Sequence, residues 1–526
     1  MGDAGQLPGV RFEVRPPPAE AQPLRTDIAG FMGPTLRGPV AELVRIDGWP
    51  AFVEVFGDLA AGTDTPYALR GYFENGGEIA FVTRLAADPL VRAEGLWTVG
   101  EVQANRWLPT APIAGNFEAE RFRIRARTPG AWANGLQVKP RYRLRGADRL
   151  PEVDLEIISA SGDGEFLVGL PAGGLIDAVN HRSLLIELSV DASPPPLDPA
   201  APAGPLAKVW PAVALSGGST GSPGEAEYSA GADLLAATRE VALMAAPDLE
   251  TMPGGDEARS RVLGQLTGLA EQHHDRQVIG ALPRGVSDMA QIAPWLEDFR
   301  DARDGEYARS LALYHPRLAV QDPLGGIRNP VRHISPVGHV AGVISRLDRE
   351  RGAHHSPANA ELYQAVDLEP RLSNEELGAL AMAGVNPLLC APGNGIMVWG
   401  ARTVARPGPG AGGRFLAHRR LIHRLVRAIR RVAEPILFDN NGPDLWLTLV
   451  RAITSLLLDA WNAGALKGDV PEQAFLVRCD SSNNPPENED SGLVICEVEL
   501  APAAPMEFIT LRIAMTREGR LEAIET

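Results

Sequence analysis

From Val209 onward the chain repeats one kind of patterning: a short apolar run, a turn, then a longer stretch with helical spacing. The runs Val209 to Leu215, Leu234 to Arg239, Val241 to Ala246, Gln277 to Leu282, Ser310 to Tyr314 and Val340 to Ile344 are each bounded by turn residues. Helical patterns fill Asp256 to His273 and Ser287 to Arg303. A run of four to eight apolar residues is long enough for a buried strand and too short for a stable helix of its own. Strands alternating with helices favour an α/β layer, although the spacing leaves the strand order open.

The flanking regions follow different rules. Up to Arg25 the chain carries Pro16, Pro17 and Pro18 among short apolar pairs, which predicts an extended arm because proline removes donors and disfavours helix. Thr26 to Arg84 reads as one α/β unit ending in Ala80 to Val82 after the Gly76-Gly77 turn. Between Arg121 and Val190 strand-like runs recur, separated by Gly- or Asp-rich turns: Phe122 to Arg125, Leu155 to Ile158, Phe166 to Val168 and Leu184 to Leu188. The stretch Ser193 to Pro211, with seven prolines, reads as a linker. Ser373-Asn374-Glu375-Glu376 is a capping box ahead of Leu377 to Met382. Helices are expected over Phe415 to Ala433 and Pro443 to Ala463, the second with proline in its first turn and Gly464 past its end. Strands Ala474 to Arg478, Leu493 to Leu500 and Glu507 to Met515 follow. The expected domains are an arm over 1–25, an α/β part over 26–115, a β-rich insertion with linker over 116–211, a central α/β domain over 212–370 and a C-terminal domain over 371–526. At 526 residues, several such domains are the expectation.

Net charge narrows the function. A formal charge of −16 opposes general binding to phosphate backbones, so no direct nucleic-acid partner is expected. No run of about 18 apolar residues occurs, so no membrane insertion is expected either. Three scattered cysteines, Cys390, Cys479 and Cys496, form neither a disulfide framework nor a zinc half-site, and cytoplasmic assembly is the expectation.

The candidate chemistry is sparse. Gly217-Gly218-Ser219-Thr220-Gly221 fits the spacing of a nucleophile elbow, yet that device needs a helix directly after the serine and Ser222-Pro223-Gly224 follows instead. A tight turn at a strand end is the better reading. The pairs His273-His274 and His354-His355, with His315, His333 and His339, lack a spacing that puts two imidazoles on one face, so neither a metal nor a cofactor is expected. Trp446 and Trp461 share a helical apolar face with Leu449, Ile453, Leu456 and Leu457, which reads as core rather than a ligand cage. One helix carries a sharp segregation. Leu421, Ile422, Leu425, Val426, Ile429 and Val432 fall on one side and Arg420, Arg424, Arg427 and Arg431 on the other. Such a basic face is either a solvated surface or a docking stripe for an acidic partner.

Several blocks, in this order, resemble the contractile tail sheath family of myophages, tail-like bacteriocins and injection systems. They are Pro8-Gly9-Val10, Gly30-Phe31-Met32-Gly33, Phe73-Glu74-Asn75-Gly76-Gly77, Thr128 to Gly135, Val340-Ala341-Gly342-Val343 through Asn359, Gly384-Val385-Asn386, Val398 to Thr403, and Trp461 to Leu466. Ala353-His354-His355 departs from the pattern where a tryptophan is expected, and Ser219-Thr220-Gly221 lacks the aspartate often found there. The resemblance implies a multidomain α/β (α+β) fold: a tail-sheath core, extended terminal arms and a β-rich, outward-facing insertion. It also implies self-assembly into a six-fold helical tube, without catalysis, around an inner tube protein and between baseplate and terminator proteins. Under it, Arg420, Arg424, Arg427 and Arg431 face the inner tube. Pro8, Gly9, Val10 and Phe12 belong to an intersubunit arm, and Val494, Ile495, Val498, Phe508 and Ile509 to C-terminal strand pairing. A static tube or baseplate component, or a serine hydrolase at Ser219, are the alternatives.

Overall fold

The structure is a computed structural model that describes residues 25–98, 101–103, 106–108, 121–145, 150–159, 164–191, 212–283, 286, 289–302, 307–391, 393, 395–406, 414–436, 440–486, 494–503, 511–515 and 521–525. The chain divides into two compact units, Asp27–Leu416 and a second made of Met1–Thr26 with Ala417–Thr526.

The first unit is organised by a nine-stranded sheet. Its centre is parallel, in the order Ile79–Arg84, Ala29–Gly33, Leu243–Ala245, Gln277–Ala281, Leu311–His315 and Val385–Ala391. Antiparallel strands close both sides: Leu43–Asp47 on one, Gly395–Val398 and then Glu361–Leu362 on the other. Because successive side chains point to opposite faces of a strand, an unbroken apolar run supplies two cores at once. Ala29, Phe31, Leu243, Ala245, Ala312 and Tyr314 pack on one face with Phe52, Tyr72, Val340 and Ile344. Ile28, Met32, Met244, Val278, Leu311 and Leu313 pack on the other with Leu235, Val262, Leu266 and Leu296. The result is a helix–sheet–helix sandwich, the layer expected from the alternation.

Leu234 to Arg239 and Val340 to Ile344 differ from their appearance as short apolar runs. The first begins inside the helix Glu225–Ala237 and runs two residues past its end, and the second lies within the helix Val337–Arg351. The second reads as a continuous apolar run because ten of its residues, on every side, are buried. It packs against the helix Thr65–Glu74 through its glycines. A Cβ at Gly338 would stand 2.0 Å from the carbonyl oxygen of Ala68, and one at Gly342 2.4 Å from that of Tyr72. Four residues apart, these two positions let the helix backbones touch.

Between Arg84 and Glu225 the chain leaves the sheet through an antiparallel neck, Ala87–Val91 with Ser219–Gly221. Beyond the neck it builds the β-rich insertion. Glu94–Thr98, Arg121–Ala126 and Ile186–Val190 form one antiparallel sheet, and Gln137–Arg145, Leu150–Ile158 and Gly164–Pro171 with Val213–Ala214 form another. Trp97, Phe122, Ile124, Leu155, Leu170 and Val179 are among the side chains of their shared core. That core takes in Ala93 and Leu215, so the expected limits of 116 and 211 are too narrow at both ends. Gly95, the second residue of Glu94–Thr98, interrupts the pattern that marks a strand, and a Cβ there would stand 2.7 Å from Val213 and 3.0 Å from Leu215. The expected break after 370 likewise cuts a sheet, since Val385–Ala391 pairs with Leu311–His315 and the unit runs on to Leu416.

The second unit joins the helices Leu416–Ala433 and Pro443–Asn462 to a strand pair, Phe475–Arg478 with Glu497–Leu500. Leu421, Leu425, Ile453, Leu457 and Leu466 are its core. A further hairpin pairs Leu511–Met515 with Leu521–Glu525.

The close approach of the two helices in the first unit is testable. G338A must force backbone apart rather than displace a flexible side chain, and should lower unfolding free energy by about 1–3 kcal/mol, read from urea denaturation.

Candidate assembly surfaces

The segregated helix Leu416–Ala433 is where both terminal segments are held within the second unit. At 100° per residue, positions seven apart lie nearly in line. Arg420 and Arg427 therefore share one stripe. Arg420 Nη2 donates to the carbonyl oxygen of Thr26 at 2.7 Å, and Arg427 Nη1 to that of Arg25 at 3.1 Å. His418 Nε2 meets the carbonyl oxygen of Ala503 at 3.0 Å and, against an acceptor, must be the protonated nitrogen. Residues 25–26 and 503 are the inner ends of the two terminal segments.

This corrects the expectation of one outward basic face. Arg420 is 2% exposed and Arg427 0%, whereas Arg424 is half-buried and Arg431 exposed. The helical wheel separates apolar from charged residues but does not know that chain entering at residue 25 will lie along the charged side. On the opposite side Leu421 and Leu425 are buried and Ile429 packs beside them, as the pattern requires.

Val498 lies in the strand Glu497–Leu500 opposite Val477. Val494 and Ile495 precede that strand. Asn484 bridges to Ile495 there, its Oδ1 accepting from the Ile495 N–H at 2.6 Å and its Nδ2 donating to the Ile495 carbonyl at 2.9 Å. Pro8, Gly9, Val10, Phe12, Phe508 and Ile509 lie outside the described residues.

Ser219 begins a strand of the neck, and the next helix starts only at Glu225. The strand–turn–helix geometry of a nucleophile elbow is not formed. His315 and His339 are buried, and the loss of water around them pulls both imidazoles down to about 4. Among the described residues no cluster of three or more His, Cys, Asp or Glu side chains is placed to hold a metal. Trp446 is buried in the core and Trp461, partly buried, packs against it, their indole N–H groups donating to Asn441 Oδ1 and the Gly468 carbonyl, each at 2.9 Å. Trp399 is half exposed.

A buried ionic knot in the first unit was not visible in the sequence. Asp248 follows the strand Leu243–Ala245, and its carboxylate accepts from Asp64 N at 2.6 Å, from Thr65 N at 2.8 Å, and from the hydroxyls of Thr63 and Thr65 at 2.8 and 2.6 Å. It caps the helix Thr65–Glu74 from a place distant in sequence, where the helix dipole favours negative charge. Asp64, the residue before that helix, instead turns its own carboxylate to Arg317 at 2.8 Å and Arg332 at 3.0 Å. Arg317 also pairs with Glu250, and the Arg332 guanidinium lies 4.8 Å from the Tyr67 ring centre. Burial pushes the Glu250 carboxyl up to about 7, Arg317 opposing that rise and Asp64 adding to it.

The sheet-centred sandwich interrupted by a β-rich insertion is a fold that this chain shares with sheath chains of solved contractile systems. The chain superposes on the contracted helical sheath of the anti-feeding prophage with a TM-score of 0.57 at 19% identity, covering 98% of this chain and 100% of that one. Against the contracted sheath complex of the extracellular injection system PVC the values are 0.56 and 16%, covering 99% and 100%. At these identities the likeness is one of fold. Residues 308–404 match the family described as the phage tail sheath protein central domain. The tail sheath protein of Vibrio phage KVP40 is 28% identical over 192 residues, a match spanning 35% of this chain and 27% of the phage protein.

Two measurements probe these sites. R427A should cost about 1.5–3 kcal/mol, the range for a buried hydrogen bond to a charged group, read as lost hydrogen-exchange protection over Leu416–Ala433. Glu250 has a folded value of about 7 against an ordinary 4.5, so it favours the folded state most below 4.5 and that contribution fades as pH rises through 7. E250Q should flatten the stability profile across this interval in urea titrations at stepped pH.

Proposed function

We propose that the protein is the sheath subunit of a contractile, phage-tail-like injection system. It polymerises as stacked six-fold rings around an inner tube and shortens to drive that tube through a target envelope. The observation that carries this reading is the superposition of nearly the whole chain on sheath chains of two contracted systems. The tail sheath central domain at 308–404 supports it independently.

Neighbouring subunits are linked by strand addition, in which main-chain hydrogen bonds supply affinity. The arm residues Pro8, Gly9, Val10 and Phe12 reach out from one subunit, and strands around Val494, Ile495, Val498, Phe508 and Ile509 receive or supply pairing. Contraction is then a rigid-body rearrangement of subunits about those links, with each fold kept intact. It needs neither a nucleotide nor a catalytic residue. Arg424 and Arg431 are the tube-facing members of the basic helix, while Arg420 and Arg427 hold the joint of the arm. Single exposed ion pairs are weak, and repetition over a tube lets them align two cylinders and still release. Baseplate and terminator proteins bound the polymer, which is a particle component with neither nucleic-acid nor membrane contact. Among the described residues no helix is long and apolar enough to cross a membrane.

Electron microscopy of the protein co-expressed with its tube tests the reading. Tubes of two lengths are expected, and deleting Met1 to Arg25 should abolish them. Tubes of one fixed length would favour a static scaffold, and monodisperse monomers would remove the assembly role altogether.

A further inference from the structure

The strand pair of the second unit brings two cysteines together. Arg478 faces Glu497 in the antiparallel register, so the next residues outward, Cys479 and Cys496, face each other. The kind of pair matters. The Ala501 N–H donates to the Ala474 carbonyl at 2.9 Å, and pairs that exchange such bonds alternate along the ladder with pairs that do not. Stepping outward by that alternation, 479 and 496 fall on a pair without backbone bonds, where Cα atoms sit about 4.5 Å apart and side chains are nearest. Disulfides span Cα separations of about 4.4–6.8 Å.

The surroundings hold this arrangement. Val477 and Val498, two residues inward, share the packed side of the hairpin, and Cys479 is buried against Trp446 and Leu449 with Cys496 beside it. Asn484 ties the strands at this level, bonding to both backbone groups of Ile495 and approaching Cys479 Sγ at 3.8 Å. The two thiols are close enough to alter each other's acidity. Cys390 is exposed and belongs to the other unit.

We propose that Cys479 and Cys496 are a dithiol oxidation site, which a small peroxide-class oxidant converts into an intrachain disulfide tying the two strands. The Cys479 thiolate attacks one peroxide oxygen, breaking the O–O bond to give a sulfenic acid and hydroxide. The Cys496 sulfur then displaces the hydroxyl and forms the S–S bond. Two electrons pass from the sulfurs to the peroxide, and with the two thiol protons both oxygens leave as water. Burial raises both thiols, Cys496 to about 12, so the thiolate is scarce at neutral pH and closure is slow. In a reducing cytoplasm the pair stays open, and outside the cell it closes. That last consequence, a lock set on particles after release, rests on the sheath reading; the chemistry does not.

The test uses the purified full-length chain, incubated with hydrogen peroxide at pH 7 and pH 9. Intact mass should fall by about 2 Da as two hydrogens leave. Titratable thiols should drop from three to one, with a peptide linking 479 to 496. Closure should speed up by about tenfold per pH unit while the pH is below the thiol value. C390S should still lose the two hydrogens, and C479S and C496S should not. An unchanged mass at pH 9, added oxygen at either thiol without a link, or a link through Cys390 or between chains would overturn the proposal. None of these readouts depends on tube formation, so they fail or succeed separately from the sheath reading.

Discussion

The carboxylate of Asp248 is the point on which the first unit turns. A helix begins with N–H groups that lack partners inside it, and the usual remedy is a side chain one step upstream. Here Asp64 occupies that step, yet its carboxylate is drawn away to Arg317 and Arg332, and the cap is supplied from beyond the strand Leu243–Ala245. The exchange ties the N-terminal α/β segment to the residues after the insertion and, through Arg317 and Arg332, to residues 308–404, which match the tail sheath central domain. An isolated buried charge would be costly. The Asp248 carboxylate instead holds four donors, and its removal would leave those N–H and hydroxyl groups buried without that partner.

The second unit solves a different problem with one helix. Leu416–Ala433 gives its apolar side to a small core and two arginines of its cationic side, Arg420 and Arg427, to the main chain of residues 26 and 25, while His418 near its start takes the carbonyl of Ala503. Contacts to carbonyl oxygens are indifferent to which side chains flank them. The attachment therefore constrains where the terminal segments emerge, not what they contain.

Much of this was legible in the sequence because it is local. The alternation from Val241 to Tyr314 announced the layered sheet, whereas Val213–Ala214 went to the insertion; Ser373 and Glu376 form the reciprocal cap that their spacing required, and Pro443 and Gly464 bracket the long helix. What stayed hidden is non-local. Asp248 and Thr65 are 183 residues apart, and nothing in either neighbourhood reports the other. The burial of Arg420 and Arg427 was hidden for the same reason: a helical wheel gives faces but not what covers them. Glu94–Thr98 escaped notice because a glycine interrupts it where a neighbouring strand comes close.

The neck formed by Ala87–Val91 and Ser219–Gly221 brings the two ends of the insertion side by side. For the sheet, what lies beyond that point is a single excursion whose closure cost grows only logarithmically with its length. The excursion has its own hydrophobic interior and borrows little from the sandwich. It is thus a natural splice point: sequence there can be lengthened, shortened or exchanged for another self-sufficient module without rewriting the register of the parallel strands, which makes the neck the place to graft new surface onto this scaffold.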